Sequence, residues 1–234
     1  MMRLDKYISS TSTLSRKEAI KVIRSGKVIV DGKVQKNSSI KFNEVEAVVT
    51  LDGESLVYRE QIYIMLNKPD GFICSTKDGR NKIVLELLPP FFASRELFAC
   101  GRLDIDTTGL VLLTDDGRWA HNITSPKKKC FKTYIVNSLF DLSPEAMEQI
   151  SEGVMLDNDE NVTLPAKIKE LAPCQYELQI QEGRFHQVKR MLVAVGNQVV
   201  KLHRHSIGPI SLDEELPEGK WRELSAEEVE CFKR

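Results

Sequence analysis

The stretch Leu97-Phe98-Ala99-Cys100-Gly101-Arg102-Leu103-Asp104-Ile105-Asp106-Thr107-Thr108-Gly109-Leu110-Val111-Leu112-Leu113 reads as strand, loop, strand. Two short apolar runs, Leu97 to Cys100 and Gly109 to Leu113, bound a polar loop that carries two carboxylates. Such a loop is positioned by a rigid sheet, the arrangement a catalytic acid, base or nucleophile needs. Upstream, Tyr63 to Leu66 and Phe72 to Cys74 read as strands around Asn67-Lys68-Pro69-Asp70-Gly71, which puts Lys68 in a tight turn. Val84 to Leu88 reads as helical and ends before Pro89-Pro90. Ser143-Pro144-Glu145 opens a helix that runs to Gly153, with proline in its first turn. Another helix spans Phe185 to Val195, with Val188, Leu192 and Val195 inward. Strands outnumber helices, so the expectation is an α+β domain on a mixed, mainly antiparallel sheet with flanking helices.

The chain has 234 residues, of which 41% are hydrophobic and 29% charged, the composition of a globular protein with room for one domain or two. No apolar run reaches the roughly 18 to 20 residues of a membrane span, and no apolar signal stretch follows Met1-Met2-Arg3-Leu4-Asp5-Lys6, so a cytoplasmic protein is expected. Cys74, Cys100, Cys130, Cys174 and Cys231 lie at least 26 residues apart with no C-x-x-C pair. They are expected to be reduced core residues, neither disulfides nor a zinc site.

Charge divides the chain unevenly. Residues 1–41 hold ten Lys or Arg against three acids, a balance of +7, so the remainder carries −8 toward the total of −1. A small basic module attached to a larger domain suits a polyanionic partner. Within it, Ser15-Arg16-Lys17-Glu18 is a capping box that should start a helix. Ala19, Ile20, Val22 and Ile23 supply the buried stripe, and Gly26 stands at the left-handed terminus. Leu4 and Ile8 mark a shorter helix with a basic outer face, and Asp31-Gly32 between Val28-Ile29-Val30 and Val34 is a type I′ hairpin signal. Arg16, Lys17, Lys21, Arg24 and Lys27 then gather on one helix and its exit. Asp52-Gly53 and Ser55 read as a turn and linker, which sets the expected domains at 1–57 and 58–234.

The N-terminal pattern, Arg3 to Ile8, Ser15 to Ala19 and Ile23 to Gly32, resembles the S4 RNA-binding domain. The longer loop pattern G-R-L-D-x-x-T-x-G-L, filled by Gly101, Arg102, Leu103, Asp104, Thr107, Gly109 and Leu110, resembles the catalytic loop of pseudouridine synthases. Lys68-Pro69-Asp70-Gly71, Lys132-Thr133-Tyr134-Ile135-Val136 and Glu182-Gly183-Arg184-Phe185-His186-Gln187-Val188-Lys189-Arg190-Met191 agree with that family in order and spacing. With an S4 module in front, the chain is similar to the branch that modifies one uridine of 16S rRNA, whose usual target is uridine 516. The resemblance implies docking on 16S rRNA, or on a small-subunit assembly intermediate, through phosphates and shape. It also implies a monomeric enzyme with no cofactor and no membrane association.

Moving a uracil from its N1 to its C5 linkage changes no oxidation state, so neither metal nor cofactor is expected. The resemblance makes Asp104 the catalytic carboxylate, either as nucleophile or as stabiliser of an oxocarbenium-like centre. A carboxylate in a dry pocket needs a cation to stay ionised. The family usually places Arg there; the aligned residue is Lys189, with Arg190 the neighbour able to substitute. The base must be everted, and Tyr134 would stack on it. Arg102 would enter the gap left in the RNA helix. Lys127, Lys128, Lys129, Lys132 and Arg184 would meet phosphates, and Lys68 would support the pocket or the Tyr134 ring. His186, His203 and His205 suit RNA contacts or packing better than metal binding.

Two other readings compete. Asp104-Ile105-Asp106-Thr107 matches the D-x-D-x-T nucleophile loop of aspartyl-phosphate phosphohydrolases, but Gly101 and Arg102 interrupt the strand that loop requires. A non-catalytic S4-type rRNA-binding or ribosome-assembly factor is the other, supported by lysine in place of arginine at position 189. The acidic C-terminal stretch from Asp213 reads as a solvated face.

Overall fold

The computed structural model describes residues 1–233. They form two compact units, 1–62 with 88–97, and 63–87 with the rest. In the first unit, helix α1 (Leu4–Thr11) is followed by helix α2 (Arg16–Arg24), which starts where Ser15 Oγ accepts from the Glu18 amide and the Glu18 carboxylate accepts from the Ser15 amide. Both hydrogen bonds span three residues, which is why the start was readable locally. Gly26 takes φ +80°, and Asp31 and Gly32 take φ 48° and 76°, as the helix exit and the I′ turn require. The hairpin strands Val28–Val30 and Lys33–Gln35 join Val49–Leu51 and Glu54–Leu56 in a four-stranded antiparallel sheet. Leu4, Tyr7, Ile8, Ala19, Ile23, Val28 and Val49 form its core.

One addition and one correction arise here. Asp5 of α1 is buried and accepts from Arg3 (2.8 Å) and Arg16 (3.4 Å), which holds its carboxyl below the ordinary range. Residues 88–97 belong with the first unit. There the Arg95 guanidinium donates to the Arg59 and Glu60 carbonyls, 36 and 35 positions away, a contact no local pattern announces.

The second unit is built on a nine-stranded sheet among the described residues. Its main path runs Lys167–Ala172, Gln175–Ile180, Lys132–Ser138, Val199–Ile207, Thr107–Thr114, Tyr63–Lys68, Trp221–Glu223. Thr107–Thr114 pairs parallel to Val199–Ile207 and antiparallel to Tyr63–Lys68, and all eight of its residues are buried. Its continuous apolar run is what a strand covered on both faces shows. Leu110 and Leu112 join Met65, Trp119, Ile123 and Ile207 in one cluster, packed by helix α3 (Gly117–Thr124). Helix α4 (Pro144–Glu152) is capped by Ser143 and ends at Gly153, as its sequence predicts. Helix α5 (Gln187–Ala194) begins two residues after Phe185, because His186 takes a left-handed conformation, φ 47°.

Two further corrections concern the core. The C-terminal stretch is not only a solvated face. Its helix α6 (Ala226–Glu230) buries Val229, and Phe232 beyond it packs edge-on against Trp119 at 5.7 Å while Trp119 Nε1 donates to the Val229 carbonyl. Of the five cysteines only Cys100 is buried, its thiol pushed up to about 12 chiefly by burial; Cys231 is exposed.

Gly109 is fixed by a close approach. Its φ is +101°, and a Cβ there would stand 2.4 Å from the Arg204 carbonyl oxygen on the adjacent parallel strand. Gly109→Ala should therefore cost roughly 3 kcal/mol or more in a denaturant-unfolding measurement. A loss below about 1 kcal/mol would contradict this account of the strand pair.

Candidate active site

The loop between Ala99 and Thr107 is held from below by a buried cation. Lys68 does not sit in a turn. It closes the strand Tyr63–Lys68, is 0% exposed, and its Nζ donates to the carbonyls of Thr107 (2.7 Å), Ile105 (3.1 Å) and Pro69 (3.1 Å). Burial pulls its ammonium below the ordinary lysine range, against the pull of nearby acids including Asp106 and Asp104. The Asp104 carbonyl accepts from the Thr107 amide (3.1 Å), and the Gly71 amide donates to the Ile105 carbonyl (3.0 Å). With the backbone saturated in this way, the Asp104 side chain projects from a fixed platform.

That side chain is 27% exposed and faces α5. Lys189 Nζ lies 3.2 Å from Asp104 Oδ2 and 2.5 Å from Asp106 Oδ1. Burial works against the Lys189 charge, but the hydrogen bonds it donates to both carboxylates outweigh it and raise the ammonium above its ordinary value. Asp106 is lowered, foremost by the Lys189 hydrogen bond. His186 Nε2 stands 3.5 Å from the other Asp104 oxygen, and its ring stacks on exposed Phe185 with centroids 3.8 Å apart.

Arg190 points away from Asp104. It pairs with Asp159 (2.7 Å) and donates to the Asp157 and Phe185 carbonyls. Arg184 is similarly engaged, by Asp159 (2.9 Å), Glu182 (3.1 Å) and the carbonyls of Asn161 and Val162. Its guanidinium ties two loops together, which differs from the phosphate contact expected of it.

Asp104 opens onto a cavity of about 500 Å³ whose wall includes Arg102, Lys132, Tyr134, Glu182, His186 and Arg204. Tyr134 is 8% exposed and pairs across the sheet with Arg204. Lys132 Nζ donates to the carbonyls of Cys130 (2.7 Å) and Ile123 (3.2 Å), and burial lowers its ammonium below the ordinary range. Lys127, Lys128 and Lys129 form an exposed turn nearby in sequence. In the first unit, Arg16, Lys17, Lys21, Arg24 and Lys27 are all exposed, with Lys27 paired to Asp52 at 3.0 Å. His203 Nδ1 hydrogen-bonds Thr108 Oγ1 at 2.9 Å. Among the described residues no group of three His, Cys, Asp or Glu is placed to hold a metal.

Sequence reasoning missed three features: Asp106 as a second partner of Lys189, His186 beside Asp104, and Arg204 in the cavity wall. For Arg204 a signal existed. Along Leu202-His203-Arg204-His205-Ser206 the period-2 alternation puts Arg204 among the buried positions.

Comparison with known proteins gives the family. Residues 62–194 match the family described as RNA pseudouridylate synthase, and residues 2–45 match the S4 domain. The chain is 47% identical over 231 residues to the ribosomal small subunit pseudouridine synthase A of Vibrio vulnificus, covering 98% of each chain. It is also 47% identical over 229 residues to the Escherichia coli K12 protein of that name, covering 97% of this chain and 98% of the relative. A crystal structure described as a pseudouridylate synthase superposes with a TM-score of 0.70 at 42% identity, covering 98% of this chain and 99% of that one.

Proposed function

Because this chain belongs to the RNA pseudouridylate synthase family, we propose that it converts one uridine of 16S rRNA, uridine 516 in the family's usual pattern, to pseudouridine with Asp104 as the catalytic carboxylate. The observation that carries the reading is the Asp104–Lys189 pair at the mouth of a cavity walled by Tyr134. The substrate follows from the relatives named for the ribosomal small subunit and from the S4 match.

The reaction breaks the C1′–N1 bond, turns the uracil and joins C5 to C1′. The C5 proton leaves to solvent and N1 takes one up. Attack on the sugar, attack on the ring, oxocarbenium stabilisation and removal of a sugar proton are the routes open to Asp104. Each uses a charged carboxylate, and the Lys189 ammonium stands 3.2 Å from it. Eversion of the uridine costs a few kcal/mol. Stacking on Tyr134 returns about 1 to 3 kcal/mol of it. Arg102, exposed at the cavity rim, is placed to enter the vacated position in the RNA, while Lys132 stands in the wall and Lys68 holds the loop that carries Asp104.

The exposed α2 cations Arg16, Lys17, Lys21 and Arg24 dock the RNA through phosphates. Neutralising Lys17, Lys21 and Arg24 together to alanine should weaken 16S rRNA binding and reduce the slope of log K against log salt by about 2 to 3. An unchanged slope would remove the docking role from α2.

The assay for the function itself incubates the chain with 16S rRNA, naked and as partly assembled small-subunit particles, and maps pseudouridine by carbodiimide-dependent reverse-transcription stops. One new stop is expected. Binding with no stop on either substrate would favour a non-catalytic assembly factor.

A further inference from the structure

Arg204 lies in the middle of the sheet, 2% exposed, on the strand between those that carry Tyr134 and Gly109. Its Nε donates to the Leu110 carbonyl at 2.8 Å, whereas its Nη2 is buried and bonded to nothing. A buried guanidinium nitrogen with no acceptor costs free energy unless something else supplies one. No carboxylate pairs with Arg204, nor with Lys132 in the same cavity wall, among the described residues. The Lys132 ammonium is lowered first by burial and also by the neighbouring Arg204 charge, so two cations stand side by side in this part of the wall.

We propose that Arg204 is a specificity-determining residue whose free Nη2 is reserved for a carbonyl oxygen of the everted uracil. The inference rests on the isomerase reading above and adds the group that recognises the base. Guanidinium only donates. It therefore suits the O2 and O4 acceptors of uracil, and at position 4 it opposes the amino donor of cytosine. It also acts on the reaction: when the C1′–N1 bond breaks with its electron pair staying on the pyrimidine, negative charge spreads from N1 onto O2 and O4. A fixed cation aimed at one of those oxygens stabilises that charge as it forms. Joining C5 to C1′, loss of the C5 proton and protonation of N1 then discharge it.

The test pairs protein and substrate changes in a cycle. RNA carrying uridine, 2-thiouridine or 4-thiouridine at the target position is turned over by the wild-type chain and by Arg204→Met. In the wild type, one of the two sulfur replacements should lower kcat/KM about tenfold, since sulfur is the weaker acceptor. Arg204→Met should lose about tenfold or more on uridine RNA and show no further loss with that same thio-RNA. The responding position identifies the carbonyl. If circular dichroism shows the Met variant unfolded, Arg204→Lys completes the cycle with the charge retained and the fork removed. Equal wild-type rates on all three RNAs, or sulfur and Arg204 losses that multiply, would overturn the inference while leaving the isomerase reading intact. Failure of the wild type to convert even uridine RNA would overturn both.

Discussion

Asp104→Asn leaves the fold and RNA binding in place and abolishes pseudouridine formation, lowering kcat by at least about 10⁴-fold. The substitution keeps the shape of the side chain and removes its charge. Lys68 continues to hold the Ile105 and Thr107 carbonyls, and Lys189 keeps its 2.5 Å contact with Asp106, so the loop has no reason to move. What disappears is the one carboxylate of the loop that lines the cavity. Parallel measurement of rRNA binding and of carbodiimide stops separates the two properties. A variant that retains even a tenth of wild-type activity would move the chemistry to another residue. The D-x-D-x-T alternative is tested at the same time, since it requires a phosphatase activity that the same substitution destroys.

Lys189→Met should be the next most damaging change, costing about 10² to 10³-fold at neutral pH. Removing the ammonium leaves the Asp104 and Asp106 carboxylates together with no cation between them. Like charges in one site favour a shared proton, and desolvation acts in the same direction. Asp106, now lowered chiefly by its hydrogen bond from Lys189, must rise when that bond is lost. The acid limb of kcat/KM should therefore move to higher pH, with activity partly restored as pH increases. Lys189→Arg should restore most of it, because a guanidinium reaches the same carboxylates. In the wild type the sign is the reverse. The depressed Asp106 carboxyl contributes stability that is present above the ordinary carboxylate range and is lost as pH falls through its lowered value. An acid limb unmoved in Lys189→Met would show that the ammonium does not set the ionisation of the pair.

How far each feature could be read in advance depended on whether the interaction behind it is local. The Ser15–Glu18 capping box, the Asp31-Gly32 turn and the Ser143 cap each close within three residues, so residue type and spacing were sufficient. The Asp104 loop was readable because its apolar flanks are strands of the sheet core. Lys68 was misplaced for the opposite reason. A lysine before proline and glycine signals a turn, and only tertiary packing reveals three backbone carbonyls converging on its ammonium. The choice between Lys189 and Arg190 likewise turned on Asp159, about 30 residues upstream, which captures Arg190 and leaves Lys189 to face the catalytic loop. Val229 and Phe232 lie among charges that outnumber them, so the burial of the C-terminal stretch against Trp119 has no local signature.

The reaction forms a bond at C5 and must expel the proton there, so the most direct test counts that hydrogen. With 16S rRNA transcribed from [5-³H]uridine, the wild-type chain should release about one equivalent of tritium per RNA and then stop, while Asp104→Asn releases none. Release by neither protein, from naked RNA and from small-subunit particles alike, would contradict the assignment of Asp104 as the carboxylate of a uridine isomerase.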